Sequence, residues 1–318
     1  MLPMSLEDAE QPTLDLLAAT LAAVSNCWPK VGEQNAHDLD QSAVDAMRFS
    51  LNESDFGGVV VIGEGEKDEA PMLFNGEKLG RGEPLWDVAV DPVDGTKLAA
   101  KGVPGAVSVI AVSERGTMLD CHDVYYMKKI VAGPDARGWL DIDAPTEQNI
   151  RQLAKAKGLE VSEISVAVIN KPRNAQVIKE VLDAGANWVR FEEGDIANAV
   201  ASAIEGSGVD MLLGVGGSPE GVVTACAIKA LGGFMQGLLA PQTPDEIERA
   251  MMSGLPLGKK LELEDMVGGN RQIFVMTGIT DAPLVNGVRF EDGKEQLQSL
   301  IIDSDLPDIR RVDLSLEG

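Results

Sequence analysis

Short apolar runs alternate with longer amphipathic ones through the second half of this sequence, and that alternation restricts the fold more than any other feature. Strand-like segments at 165–169 (SVAVI), 187–191, 209–215 (VDMLLGV) and 272–276 (QIFVM) interleave with helical stretches at 173–184, 195–205, 218–231 and 243–253. Such a pattern predicts βαβ units around a largely parallel sheet. The first half reads differently. Two helices, over 13–28 and 40–51, precede strand-like runs at 58–63, 85–91 and 105–112 and a series across 125–143, with Glu114-Arg115-Gly116 as a turn. The pattern changes at Pro145, after which Thr146 to Lys157 is helical and stops at Gly158. The expectation is an α/β protein in two halves, 1–145 and 146–318, built as a layered helix–sheet sandwich with mixed and parallel sheets.

Composition narrows the chemistry. With 27 basic and 51 acidic residues in 318, the formal charge is −24. Nucleic acid and anionic membranes would be repelled by such a surface, so neither is expected as a partner. Cations are favoured, as is a site where bound metal reverses the local sign for an anionic substrate; solubility alone would also use this charge. Three widely spaced cysteines (Cys27, Cys121, Cys226) imply neither a disulfide framework nor a CxxC site. Two histidines, His37 and His122, argue against zinc hydrolases and imidazole triads. The N-terminus lacks a basic segment followed by an apolar core, and no apolar run is long enough to span a bilayer, so a cytoplasmic setting is expected.

Three strings carry chemistry. Asp91-Pro-Val-Asp-Gly-Thr96 sits where a buried strand emerges into a turn. The proline bend brings Asp94, with the Val93 carbonyl, toward the side of Asp91; Gly95 allows close approach and Thr96 supplies a hydroxyl at a helix start. Two carboxylates and a carbonyl form an all-oxygen set suited to Mg²⁺ or Mn²⁺, although the string is equally an ordinary proline turn. Gly63-Glu64-Gly65-Glu66-Lys67-Asp68-Glu69 follows the 59–62 strand. It is either a second carboxylate cluster at the same sheet edge or a solvated acidic loop. Gly214-Val-Gly-Gly-Ser-Pro-Glu-Gly221 lies between a strand and a helix. Its glycines leave backbone N–H groups for an oxyanion and Glu220 for a metal, or Ser218, Pro219 and Glu220 simply cap the helix.

Taken together, VVVIGEGEKDEAPML at 59–73, DVAVDPVDGTK at 87–97 and GVGGSPEGV at 214–222 resemble the class II (GlpX-type) fructose-1,6-bisphosphatases, within the lithium-sensitive metal-dependent sugar and inositol phosphatases. AVDAMR at 43–48, YYMKKIVAGP at 125–134, KPRNAQVI at 171–178 and EEGDIANA at 192–199 extend the likeness in the right order. The resemblance implies hydrolysis of the 1-phosphate of fructose 1,6-bisphosphate with Mg²⁺ or Mn²⁺, by a homodimer or homotetramer. It implies Asp40, Glu64, Asp91, Asp94 and Glu220 as the metal site, and Thr96 with Asp68 as the groups that orient or deprotonate the attacking water. Gly95, Thr96, Tyr126, Lys171, Arg173, Glu193 and Asp195 become the contacts to a sugar bisphosphate. The N-terminal half would then bear the metal and the C-terminal half the sugar.

The sequence also departs from the family pattern. Where the family has a GRGDKNxAD-like segment, residues 32–40 read GEQNAHDLD, so Ala36 takes the place of a lysine; the family's DGD and PRH are Glu193-Gly194-Asp195 and Pro172-Arg173-Asn174. Sedoheptulose-1,7-bisphosphatase or inositol-phosphate phosphatase activity is the alternative within the enzyme class. Outside it stands a relative that binds metal and sugar phosphate without hydrolysis.

Overall fold

The computed structural model describes residues 6, 8–64 and 73–317. The chain divides into two compact units, one made of 1–118 with 269–318, the other of 119–268. Strands and helices are numbered along the chain.

The first unit holds α1 (Gln11–Cys27), α2 (Ala36–Asn52), β1 (Gly58–Ile62), β2 (Lys78–Leu79), β3 (Trp86–Asp94), α3 (Thr96–Ala100) and β4 (Val107–Glu114), then β11 (Gln272–Gly278), β12 (Arg289–Glu291), β13 (Lys294–Asp303) and β14 (Arg310–Glu317). Its eight-stranded sheet runs β12-β13-β11-β4-β3-β1-β2, with β14 also paired to β13. Only β1 and β3 are parallel neighbours among the described pairs; the rest are antiparallel. Leu16, Val24, Leu39 and Met47 of α1 and α2 join Val88, Val90, Ile110, Val112, Ile273 and Val275 in one core. The alternate strand positions share one face, which is why the two helices can cover it. Thr13 Oγ1 donates to Asp303 Oδ2 at 2.7 Å, fastening α1 to the sheet by a buried bond. Asn35 starts α2 by accepting the Asp38 N–H.

The second unit contains β5 (Tyr126–Ala132), α4 (Thr146–Lys157), β6 (Ser165–Ile169), α5 (Ala175–Asp183), β7 (Asn187–Phe191), α6 (Asp195–Ala201), β8 (Met211–Gly217), α7 (Ser218–Ala230), β9 (Phe234–Leu239), α8 (Pro244–Met252), β10 (Leu261–Glu262) and α9 (Leu263–Met266). Its sheet order is β10-β9-β5-β8-β6-β7. Ile130, Val166, Val168, Met211 and Leu213 pack with Ile150, Leu153 and Val181 of α4 and α5. The other face carries α6 and α7, whose buried residues include Val200, Val222 and Ile228.

Both sheets are mixed, and the fold is α/β. The second sheet is less parallel than the alternation predicts: β6 is parallel to β7 and β8, but β5 inserts antiparallel between β8 and β9. A strand supplied from before residue 145 breaks the βαβ series. The QIFVM run belongs to the first unit, antiparallel to β4. Beyond β5, the 125–143 stretch forms turns rather than further strands. Among the described residues no helix is long and apolar enough to cross a membrane, and no disulfide joins the three buried cysteines.

Candidate active site

Register brings two of the first unit's candidate carboxylates, Glu64 and Asp91, to the same end of neighbouring strands. Strand β1 runs parallel to β3 with Ile62 opposite Ala89. Glu64 follows two residues beyond the first and Asp91 two beyond the second, at the same end of both strands. On the other side of β3, Asp91 pairs with Val109 and Asp94 with Val107. Three steps on β3 match two on β4, so one residue is extra. Pro92, which has no N–H to give the ladder, lies inside this bulge. Residues three apart on a regular strand face opposite ways; the bulge cancels that and turns Asp91 and Asp94 to the same face.

Asp94 is buried and Asp91 half-buried. Gly95 caps α3 with φ 92°, and the Thr96 hydroxyl donates to the Val93 carbonyl at 2.9 Å. Asp40 is half-buried on α2; burial pushes its carboxyl pKa up, and His37 one turn earlier pulls it partly back. Ala36, in the place of the family lysine, is the first residue of α2. Asp68 lies outside the described residues.

In the second unit the sugar-contact candidates and Glu220 form a connected set. Tyr126 stands at the start of β5 opposite Gly217 of β8. The Arg173 guanidinium lies over the Tyr126 ring, 4.5 Å from its centroid, and its Nε donates to the Val215 carbonyl at 2.9 Å. Lys171 Nζ is 3.7 Å from Glu193 Oε1. Asp195, the first residue of α6, accepts a 2.6 Å bond from Lys129 Nζ, which also donates to the Gly217 carbonyl at 2.9 Å. Glu220 lies in the first turn of α7, and its Oε2 is buried with no hydrogen-bond partner. Its carboxyl pKa is raised, by burial first and the Asp195 charge second; Lys129, a backbone N–H and Arg173 oppose the rise.

The glycines before α7 do something the sequence does not announce. A Cβ on Gly216 would fall 2.1 Å from Asp195 Oδ2, and one on Gly217 would fall 1.7 Å from Glu220 Oε2. They make room for two carboxylates. Lys129 is the residue that motif reasoning missed. Its signal was present: consecutive lysines in an otherwise apolar strand, YMKKIVA, force one of the two inward by alternation.

The donor chemistry fits a hard divalent cation. Every candidate ligand is a carboxylate, and a buried carboxylate oxygen without a donor, as at Glu220, is costly unless a cation meets it. Among the described residues, however, no three carboxylate, imidazole or thiol side chains stand close enough to form a metal cage by themselves.

Known proteins define the class first. The family of bacterial fructose-1,6-bisphosphatases, glpX-encoded, matches residues 10–315, nearly the whole chain, which makes this a phosphoric monoester hydrolase. The fructose-1,6-bisphosphatase class 2 of Haemophilus influenzae is 39% identical over 309 residues, covering 93% of this chain and 91% of its own. Fructose-1,6-bisphosphatase 1 class 2 of Escherichia coli K12 is 38% identical over 299 residues, covering 90% and 88%. The chain belongs to the glpX-encoded, class II fructose-1,6-bisphosphatase family.

Proposed function

We propose that this protein removes the 1-phosphate of fructose 1,6-bisphosphate by in-line attack of water, in the cytoplasm and as a homo-oligomer, and that it requires Mg²⁺ or Mn²⁺. The observation that carries this reading is the common end of the β1–β3 pair, where Glu64 and Asp91 each stand two residues past the last paired positions and a bulge turns Asp94 to the face of Asp91. Asp40, Glu64, Asp91, Asp94 and Glu220 are the carboxylates that would serve as cation ligands. A bound divalent cation supplies charge neutralisation at phosphate oxygens and a more acidic water.

The protein's own groups do the rest. Thr96 and Asp68 align and deprotonate the attacking water. Lys171 offers a phosphate a point charge and Arg173 a planar fork. Glu193 and Asp195 accept hydroxyls of the sugar, and Tyr126 bounds it. This assigns metal binding chiefly to the N-terminal half and sugar binding to the C-terminal half. The test is phosphate release from fructose 1,6-bisphosphate with Mg²⁺, with Mn²⁺ and with EDTA, beside an Asp91→Ala control. Release that depends on metal and vanishes in the variant supports the reading; release unaffected by EDTA or by the variant overturns it.

A further inference from the structure

Among the described residues Lys129 is one of the largest side chains buried almost completely, at 1% exposure. An ammonium group taken out of water is costly unless its partners are well placed. Here they come from two elements: Asp195 at the start of α6 and the Gly217 carbonyl just ahead of α7. The lysine runs between two glycines, since a Cβ on Gly216 would fall 3.1 Å from its Nζ and one on Gly221 would fall 3.2 Å from its Cδ. Stability alone does not call for this arrangement, because an apolar side chain of similar volume serves a buried position at least as well as an ion pair. What an ion pair adds is direction. Lys129 fixes Oδ2 of Asp195, and with it the plane of the carboxylate, and it holds the Gly217 carbonyl opposite Tyr126 on the neighbouring strand.

We propose that Lys129 is a positioning residue for the polyol portion of the substrate: the Lys129–Asp195 pair orients the carboxylate that accepts a sugar hydroxyl. The proposal rests on the sugar-phosphatase reading above and deepens it. Lys129→Met keeps the volume and removes the charge. With this variant folded, as judged by circular dichroism and a cooperative melt, KM for fructose 1,6-bisphosphate is expected to rise about tenfold or more while kcat falls about threefold or less. The affinity for fructose 6-phosphate, measured by calorimetry, should weaken in parallel. Lys129→Met/Asp195→Asn should cost no more in KM than the worse single variant, because the two act as one unit.

Should Lys129→Met not fold, Gly216→Ala provides the second route. It keeps the lysine but drives the Asp195 carboxylate off Nζ, and the same rise in KM is expected. A folded Lys129→Met protein with wild-type KM and wild-type affinity for fructose 6-phosphate overturns the proposal while leaving the phosphatase reading intact. Wild-type protein that releases no phosphate with Mg²⁺ or Mn²⁺ removes the reading, and the proposal falls with it.

Discussion

Asn174 holds Val215 by both of its main-chain polar groups: its Oδ1 accepts the Val215 N–H at 2.7 Å and its Nδ2 donates to the Val215 carbonyl at 3.0 Å. This side chain is fully buried, and the neighbouring Arg173 Nε reaches the same carbonyl. Asn174 stands where the family has a histidine, and the paired amide gives the departure a physical sense. It clamps the end of β8 from which Gly216, Gly217 and Glu220 follow. Asn174→Ala leaves the half-buried Val215 N–H unmet and the carbonyl to Arg173 alone, and is expected to cost about 1–3 kcal/mol, read from urea unfolding. Loss of less than about 0.5 kcal/mol would show that the clamp does not matter.

Glu220 is costly for the fold, because its carboxyl is buried and one oxygen has no hydrogen-bond partner among the described residues. Burial raises its carboxyl pKa above the usual 4.5, so in this window the folded state keeps a proton that the unfolded chain has lost. Stability from this group therefore falls as pH rises from about 4.5 through the raised value. Glu220→Gln should stabilise metal-free protein, with a gain smallest near pH 4.5 and growing toward pH 8. Melting curves across that range provide the measurement; a gain independent of pH would assign the effect to something other than ionisation.

Asp91 and Thr96 should separate metal binding from water orientation. Asp91→Ala is expected to lower kcat at least about 10³-fold and to weaken Mn²⁺ binding measured directly by calorimetry. Thr96→Val keeps the shape and removes the hydroxyl that donates to Val93. It should lower kcat by about 10²-fold or more and leave Mn²⁺ affinity unchanged. Equal loss of metal affinity in both variants would contradict the division of roles.

Gly217→Ala tests the room left for Glu220. The position has φ −67° and ψ 142°, which alanine adopts without strain. Through the unfolded chain the change should add up to about 1 kcal/mol of stability. Its methyl would nevertheless meet Oε2 of Glu220 at 1.7 Å, so the carboxylate must move. The expected outcome is unchanged or higher thermal stability with kcat/KM down about tenfold or more. Wild-type kcat/KM would mean that the Glu220 orientation is not needed.

Much of the fold can be read from local pattern. SVAVI at 165–169 and Thr146–Lys157 are observed with the predicted bounds, because one is uniformly β-branched or small and the other ends on a left-handed glycine. KEQLQSLIID, by contrast, is rich in helix-favouring residues yet forms β13, since β11, β12 and β14 pair along it. FMQGLL escaped notice as β9 because its glycine and glutamine weaken the strand signal; β5 and β10 supply the ladder on either side. The candidate site shows the same division. The acidic strings were visible as strings, whereas the bulge between Asp91 and Asp94, the Asn174 clamp and the buried Lys129 depend on partners far away in sequence.

Strand β4 has a consequence for how the protein is made. Its partner on one side, β11, begins at Gln272, and Val107 pairs with Gly278. Everything from Leu119 to Gly268 must leave the ribosome before the first sheet can join its two parts. At roughly 5–20 residues per second that interval lasts about 8–30 s. The second unit needs no such wait: its ends meet through the Leu119 N–H and the Met266 carbonyl at 2.8 Å. The second unit, encoded inside the first, is therefore the earlier to finish, and until β11 emerges the nascent first unit carries β4 with one side unpaired.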